Sequence, residues 1–236
     1  MTDLKDNPEV QQLKHDLLVL DPNDENARIE LNKRLIERYP FLEKKGWNSS
    51  EANDFHSTWL DCMPDGWRKT LGIPLCEELR EELLRIDPSI LSTYRVSQVK
   101  EKLGMLRWYA DGNSDQMRDI LTKYKVISRF TCVVCGKINV PIFDDGWISP
   151  FCRECYISHR KTNWGNDLAD DNIESLIREE ANLPRNTIVK TISPNGTVER
   201  KIDFSDTLRA LGVNPDSLPT IEKIIEARKE KEKDNG

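Results

Sequence analysis

Residues 132–155 read CVVCGKINVPIFDDGWISPFCREC, two Cys-x-x-Cys pairs on either side of a 16-residue insert. A Cys-x-x-Cys turn presents two thiolates to one ion, and two such turns complete the tetrahedron that Zn²⁺ prefers. Cys132, Cys135, Cys152 and Cys155 are therefore the expected ligands of a zinc ion. With sulfur at all four positions the shell has no place for water, which is the arrangement of a structural rather than a catalytic metal. A thioredoxin-type redox site needs one such pair at the start of a helix that follows a strand, not two pairs.

The residues between and after the pairs support a small metal-ordered module. Gly136 permits the tight turn of a knuckle, and KINVPIF and the segment around Trp147 can form hairpin arms joined by Asp-Asp-Gly. YISHRKTNW, after the second pair, can run as a helix whose N-terminal dipole points at the thiolates. Knuckle, hairpin and helix in that order predict a treble-clef-like module, with a zinc ribbon as the other option. His159 follows Cys155 by four residues and is a further candidate at the metal or beside it.

The rest of the chain is polar, with 37% hydrophobic and 32% charged residues. No apolar run approaches the ~18 residues of a membrane span. The opening MTDLKDNPEVQQLKHD is charged throughout, unlike a secretory signal. The expected location is the cytoplasm, and in that reducing setting paired cysteines are metal ligands or redox groups rather than disulfides. The formal net charge of −6 opposes a broad nucleic-acid-binding surface. Residues 128–165, however, carry five basic and three acidic side chains, a basic island between two acidic segments.

Periodicity predicts helices at 8–20 and 25–38, with DPND as the turn between them and Pro40 as the stop of the second. Residues 43–72 read as an irregular loop anchored by tryptophans, with one short helix near 53–60. Pro74 is placed to open a helix with Cys76, Leu79, Leu83 and Ile86 on its apolar stripe and Glu77, Glu78, Glu81 and Glu82 toward water. A hairpin with a KLG turn is expected at 94–109, followed by a helix from Ser114 to about Lys125. Beyond the cysteines, the expected elements are a polar helix at 166–182, a second hairpin at 187–204, a short helix ended by Gly212 and a charged helical tail. The class is α+β in four segments: N-terminal helices (1–50), an α+β part with the first hairpin (51–129), the zinc module (130–165) and a helix-and-hairpin extension (166–236).

Three other groups could carry chemistry. Cys62 with His56, Asp61 and Asp65 offers a nucleophile and bases close in sequence, although no catalytic signature surrounds them. Cys76, on an apolar stripe, reads as core. The first hairpin interleaves Arg95, Lys100, Lys102 and Arg107 with Tyr94, Trp108 and Tyr109, a pattern able to stack bases and track phosphates. Its alternative reading has Trp108 in the core and Arg107 paired with acidic neighbours. No Walker, dinucleotide, HExxH or nucleophile-elbow motif is present.

YPFL (39–42), LDCMPDGWRKTLG (60–72), LCEELREELL (75–84), YRVSQVKEKLGMLRWY (94–109) and the double Cys-x-x-Cys unit occur in that order. Together, over roughly residues 35–157, they resemble a family of uncharacterised proteins of phages, prophages and mobile elements of Gram-positive bacteria. The resemblance implies the same four cysteines as metal set and a bacterial host cell as the setting. Residues from about 166 onward go beyond its pattern. The expected function is that of a non-enzymatic, zinc-stabilised protein that binds a host or phage protein. The alternatives are a nucleic-acid-binding regulator and an enzyme centred on residues 56–65.

Overall fold

Asn7 begins the first helix by accepting hydrogen bonds from the Glu9 and Val10 amides, 3.1 and 3.3 Å. That helix, α1 (Pro8–Val19), buries Val10, Leu13 and Leu17 along one stripe. Asp24 caps α2 (Glu25–Arg38) by accepting from the Ala27 amide. Pro40 ends α2 as expected: Tyr39 leaves helical geometry at φ −125°, and a 3₁₀ turn (Pro40–Leu42) drives Phe41 and Leu42 into the core. The protein is described by a computed structural model covering residues 7–21, 23–44, 55–164, 173–193 and 196–234. Residues 45–54 of the expected loop and the Pro194–Asn195 turn lie outside the described residues.

The stretch expected to be irregular is helical from Asp65 onward. A 3₁₀ turn (Trp59–Cys62) comes first, tied down by the Asp61 carboxylate, which accepts from the Thr58 amide (2.6 Å) and from Arg68 Nη1 (2.7 Å). Helix α3 (Asp65–Trp67) then passes through a π-helical stretch (Arg68–Gly72) into α4 (Ile73–Ile86). Pro74 therefore lies within a helical run rather than opening it. Its ring lacks an N–H and would crowd the Thr70 carbonyl in regular α geometry, and the wider π turn removes both problems.

Helix α4 also overturns the reading of its glutamates. Glu77, Glu78 and Glu82 are buried at 5%, 8% and 8% exposure, because α4 is covered by α1 and by a later helix rather than lying on the surface. Each carboxylate has partners. Glu77 takes Arg38 Nη2 (2.7 Å) and the Tyr39 hydroxyl (2.7 Å), and Glu82 takes Arg85 (2.7 Å). Burial together with the Glu77 charge pushes the Tyr39 phenol well above its ordinary range.

Strands β1 (Val96–Lys102) and β2 (Met105–Ala110) form the first hairpin. Leu103 and Gly104 both take positive φ, 55° and 73°, the backbone of a type I′ turn. Val99 and Trp108 pair across the strands on the buried face. Ser114 caps α5 (Asp115–Arg129), which buries Met117, Tyr124 and Ile127.

The cysteine module supplies β3 (Ile142–Asp144), β4 (Ile148–Pro150) and α6 (Arg153–Trp164). β3 also pairs with β5 (Ile177–Glu179), giving the order β4-β3-β5. A helix was expected over 166–182. Residues 165–172 lie outside the described residues, and 177–179 form this strand instead, since the open edge of β3 offers Ile177 a covered place. The extension continues with hairpin β6 (Asn186–Ser193) and β7 (Gly196–Asp203), then α7 (Ser205–Ala210) and α8 (Ile221–Asp234). Gly212, at φ 80°, follows α7 as expected.

The architecture is α+β with small antiparallel sheets. One apolar cluster takes residues from the N-terminal helices, the central part and the extension, among them Leu13, Leu35, Trp67, Leu79, Trp108, Phe204 and Leu208. A second cluster underlies the cysteines.

Candidate metal centre

The first cysteine pair follows directly from α5. Thr131 Oγ1 donates to the Ile127 carbonyl at the end of α5 (2.9 Å), and Thr131 bridges to Ile138. Between these points the chain makes a tight knuckle. The Cys132 amide donates to the Lys137 carbonyl (2.8 Å), and the Gly136 amide donates back to the Cys132 carbonyl (3.0 Å). Gly136 sits at φ 78°, the left-handed conformation that the knuckle needs.

The second pair is positioned by the hairpin and helix. The Val133 amide reaches the Pro150 carbonyl (3.0 Å), drawing the knuckle onto β4, and Cys152 then leads into α6 through the Tyr156 amide (2.9 Å). Beneath the sulfurs, Phe143 stacks on Tyr156 at 3.9 Å and 9°, with Phe151 edge-on to Tyr156. Asp145, in the β3–β4 turn, accepts from the Tyr156 hydroxyl (3.2 Å) and Arg160 (2.9 Å), which fixes the hairpin on α6. Knuckle, hairpin and helix thus meet in treble-clef order.

The sulfurs of Cys132, Cys135, Cys152 and Cys155 all lie within 4.8 Å of one another. Cys135 and Cys152 Sγ are 3.7 Å apart. Metal–sulfur bonds of about 2.3 Å in a tetrahedron set sulfur atoms about 3.8 Å apart, so the four donors fit a single ion. Burial pushes the Cys152 thiol up, and it pushes that of Cys155 up to about 11. Burial opposes ionisation at Cys135 too, but there the Lys137 amide and the neighbouring thiols outweigh it and lower the thiol. Four thiols this close cannot all ionise without a cation among them. His159 stands outside the sulfur cluster, its ring 5.2 Å from that of Phe151.

The module is docked on the helical core through the MPDGWR stretch. The Gly66 amide donates to the Val133 carbonyl (2.8 Å), Trp67 Nε1 to the Thr131 carbonyl (2.6 Å) and Thr70 Oγ1 to the Gly136 carbonyl (3.3 Å). A Cβ on Gly66 would stand 2.2 Å from the Cys132 oxygen and 2.5 Å from the Gly136 nitrogen, both backbone atoms that cannot yield. Gly66→Ala is expected to cost about 3 kcal/mol of stability in urea titrations of the metal-loaded protein. Gly72→Ala, in the same helical run, meets only the flexible Leu60 side chain at 3.3 Å. It is expected to cost less than about 1 kcal/mol, and equal losses would refute the close-approach role of Gly66.

The remaining candidates are divided among other tasks. Cys76 is fully buried, and burial pushes its thiol well up, as suits a core residue. Cys62 packs half-buried against the main core. His56 lies 3.1 Å from Glu25, and the Asp61 carboxylate is engaged by Thr58 and Arg68. Asp65 instead lines a groove of about 440 Å³ beside the metal centre. Val133, Val134, Trp147 and Phe151 form its apolar lining, Glu101 and Asp145 add carboxylates, and His159 contributes from α6. The groove was missed in sequence because its walls come from five separate stretches; the solvent-facing Trp147 was the one available signal.

No family model, curated protein or solved structure matches this chain. Among the described residues no helix is long and apolar enough to cross a membrane.

Proposed function

We propose that the protein is a non-enzymatic, zinc-stabilised binding protein of phage or prophage type that engages a host or phage protein in the bacterial cytoplasm. Four thiolates in a tetrahedron suit zinc or iron, and a purely structural role favours redox-silent zinc. The observation that carries the binding role is the groove beside the metal centre. Trp147 is 68% exposed and Val134 47% exposed at this groove, on the β3–β4 turn and the first knuckle that the metal orders. An aromatic side chain presented to solvent on a rigid turn is the usual form of an interface anchor. The carboxylates of Asp65 and Glu101 around it favour a partner segment that combines an apolar residue with Lys or Arg.

The test is a pull-down from Gram-positive bacterial lysate with the metal-loaded protein and with Trp147→Asp. The native chain is expected to retain one protein in stoichiometric amount. The variant, with unchanged metal content, is expected to bind that protein at least roughly thirtyfold more weakly, as loss of a hot spot of about 2 kcal/mol implies. Absence of a stoichiometric partner, or undiminished capture by Trp147→Asp, would overturn the reading.

A further inference from the structure

The outer face of the first hairpin differs from the groove in charge and is independent of it. Strand register puts Lys100 opposite Arg107, Lys102 opposite Met105 and Gln98 opposite Tyr109, on the side of the hairpin away from Val99 and Trp108. Trp108 fills the core, as one sequence reading held, but Arg107 does not find the acidic neighbour that the same reading gave it. Among the described residues, none of Lys100, Lys102, Arg107 or Lys125 has a carboxylate ion-pair partner. Lys125 comes from α5, and partial burial and then the charge of Arg107 both hold its ammonium below the ordinary lysine range.

Like charges placed directly across two strands destabilise a hairpin. Here that pair is joined by two further cations, in a chain with 41 acidic and 35 basic side chains. Among the described residues most other cations are paired with carboxylates, so a face without any is open to an anion from outside. Tyr109 adds a second kind of contact. It is 46% exposed, with the Lys100 ammonium 5.5 Å from its ring centre. A flat aromatic ring flanked by cations is how sheet surfaces hold unpaired bases and the phosphates between them. Lys100 and Lys102, two residues apart on one strand, are spaced by about 7 Å, a step that an extended single strand can follow with successive phosphates.

We propose that the outer face of the β1–β2 hairpin, continued by Lys125 of α5, binds single-stranded nucleic acid. The charges track the backbone and Tyr109 stacks on a base. Contact is sequence-tolerant and strongly salt-dependent, because phosphate contacts and stacking on Tyr109 carry it and every base has a face to stack.

Fluorescence anisotropy of the full, metal-loaded chain with a labelled single-stranded oligonucleotide of mixed sequence tests this. Binding is expected at low salt and to weaken as salt rises. The double variant Lys100→Glu/Arg107→Glu is expected to bind at least tenfold more weakly and to flatten the slope of log K against log salt by about 1.4, from two lost phosphate contacts. Tyr109→Ala is expected to weaken binding about fivefold to a hundredfold, whereas Lys229→Glu on α8 leaves it unchanged. Variant metal content and circular dichroism matching the native protein keep the comparison free of misfolding. No binding at low salt, or binding that survives the double reversal, overturns the proposal. So does a preference for duplex of the same length, or displacement by polyglutamate as effective as by unlabelled oligonucleotide.

Discussion

Removing the metal is expected to unfold the module of residues 130–165 while the helices α1, α2 and α4 stay folded. Purified, reduced protein should contain one zinc ion per chain by elemental analysis, with no visible absorption of the kind iron thiolates give. Structural zinc supplies about 10–16 kcal/mol of apparent binding free energy in small modules. The second apolar cluster, built on Val140, Phe143, Phe151, Tyr156 and Ile173 together with the cysteines, is too small to replace that. Chelation should therefore abolish hydrogen-exchange protection of the Cys132, Val133, Gly136 and Phe151 amides, which are bonded only through the knuckle and its hairpin. The amides of α4 should keep theirs, because the larger cluster contains none of the four cysteines. Acid should act in the same direction as chelator, since protons compete with the ion for thiolate and affinity falls as pH falls. Cys132 is fully buried and Cys135 is exposed. Cys132→Ser is accordingly expected to lose the metal more completely than Cys135→Ser. A metal-free chain that keeps those four amides protected would show that the sulfurs do not organise the module.

That result would also locate what the sequence could and could not disclose. The clustering of the four cysteines was readable because each pair is local: two thiols three residues apart need no knowledge of the fold. The same holds for Asp24, Ser114 and Gly212, whose capping roles depend on a few neighbouring residues. Features that depend on distant partners were unreadable. Pairing of Ile177–Glu179 with β3 joins positions more than thirty residues apart in the chain, and nothing in a polar stretch announces it. Gly66 was one glycine in a stretch read as an irregular loop, because its use, an approach of backbone to backbone at the knuckle, is visible only in three dimensions. The glutamates of α4 were misread for the same reason. Periodicity reports which stripe is apolar, and it is silent on whether the polar stripe is then covered by another helix that carries matching cations. The groove at Trp147 and the unpaired cations of the hairpin belong to this second kind.

The buried glutamate with the most distant partners gives the other large expected effect. Glu78 accepts from the Lys123 ammonium of α5, from the Tyr124 hydroxyl (2.9 Å) and from the Thr207 hydroxyl of α7 (2.7 Å), 129 residues away in sequence. Burial, and then the Glu78 charge, raises the Tyr124 phenol well above its ordinary range, so it stays a neutral donor. Glu78→Ala removes the one negative charge of this site and leaves Lys123, itself only 9% exposed, as an uncompensated buried cation. Such a loss costs about 3–5 kcal/mol, a large share of the stability of a chain this size. Glu78→Gln keeps the shape and acceptors for both hydroxyls but not the charge, so most of the loss should persist. Thr207→Val removes one hydrogen bond to a charged acceptor and should cost about 1.5–3 kcal/mol, loosening α7 first. The double variant Glu78→Met/Lys123→Met should recover most of the single loss, because an apolar pair needs no solvent and no partner. Urea titrations of the four variants, run at fixed zinc, measure each term, and the metal content should stay constant across the series. If Glu78→Ala instead unfolded within 1 kcal/mol of the native chain, the carboxylate would not be holding the extension and the core together.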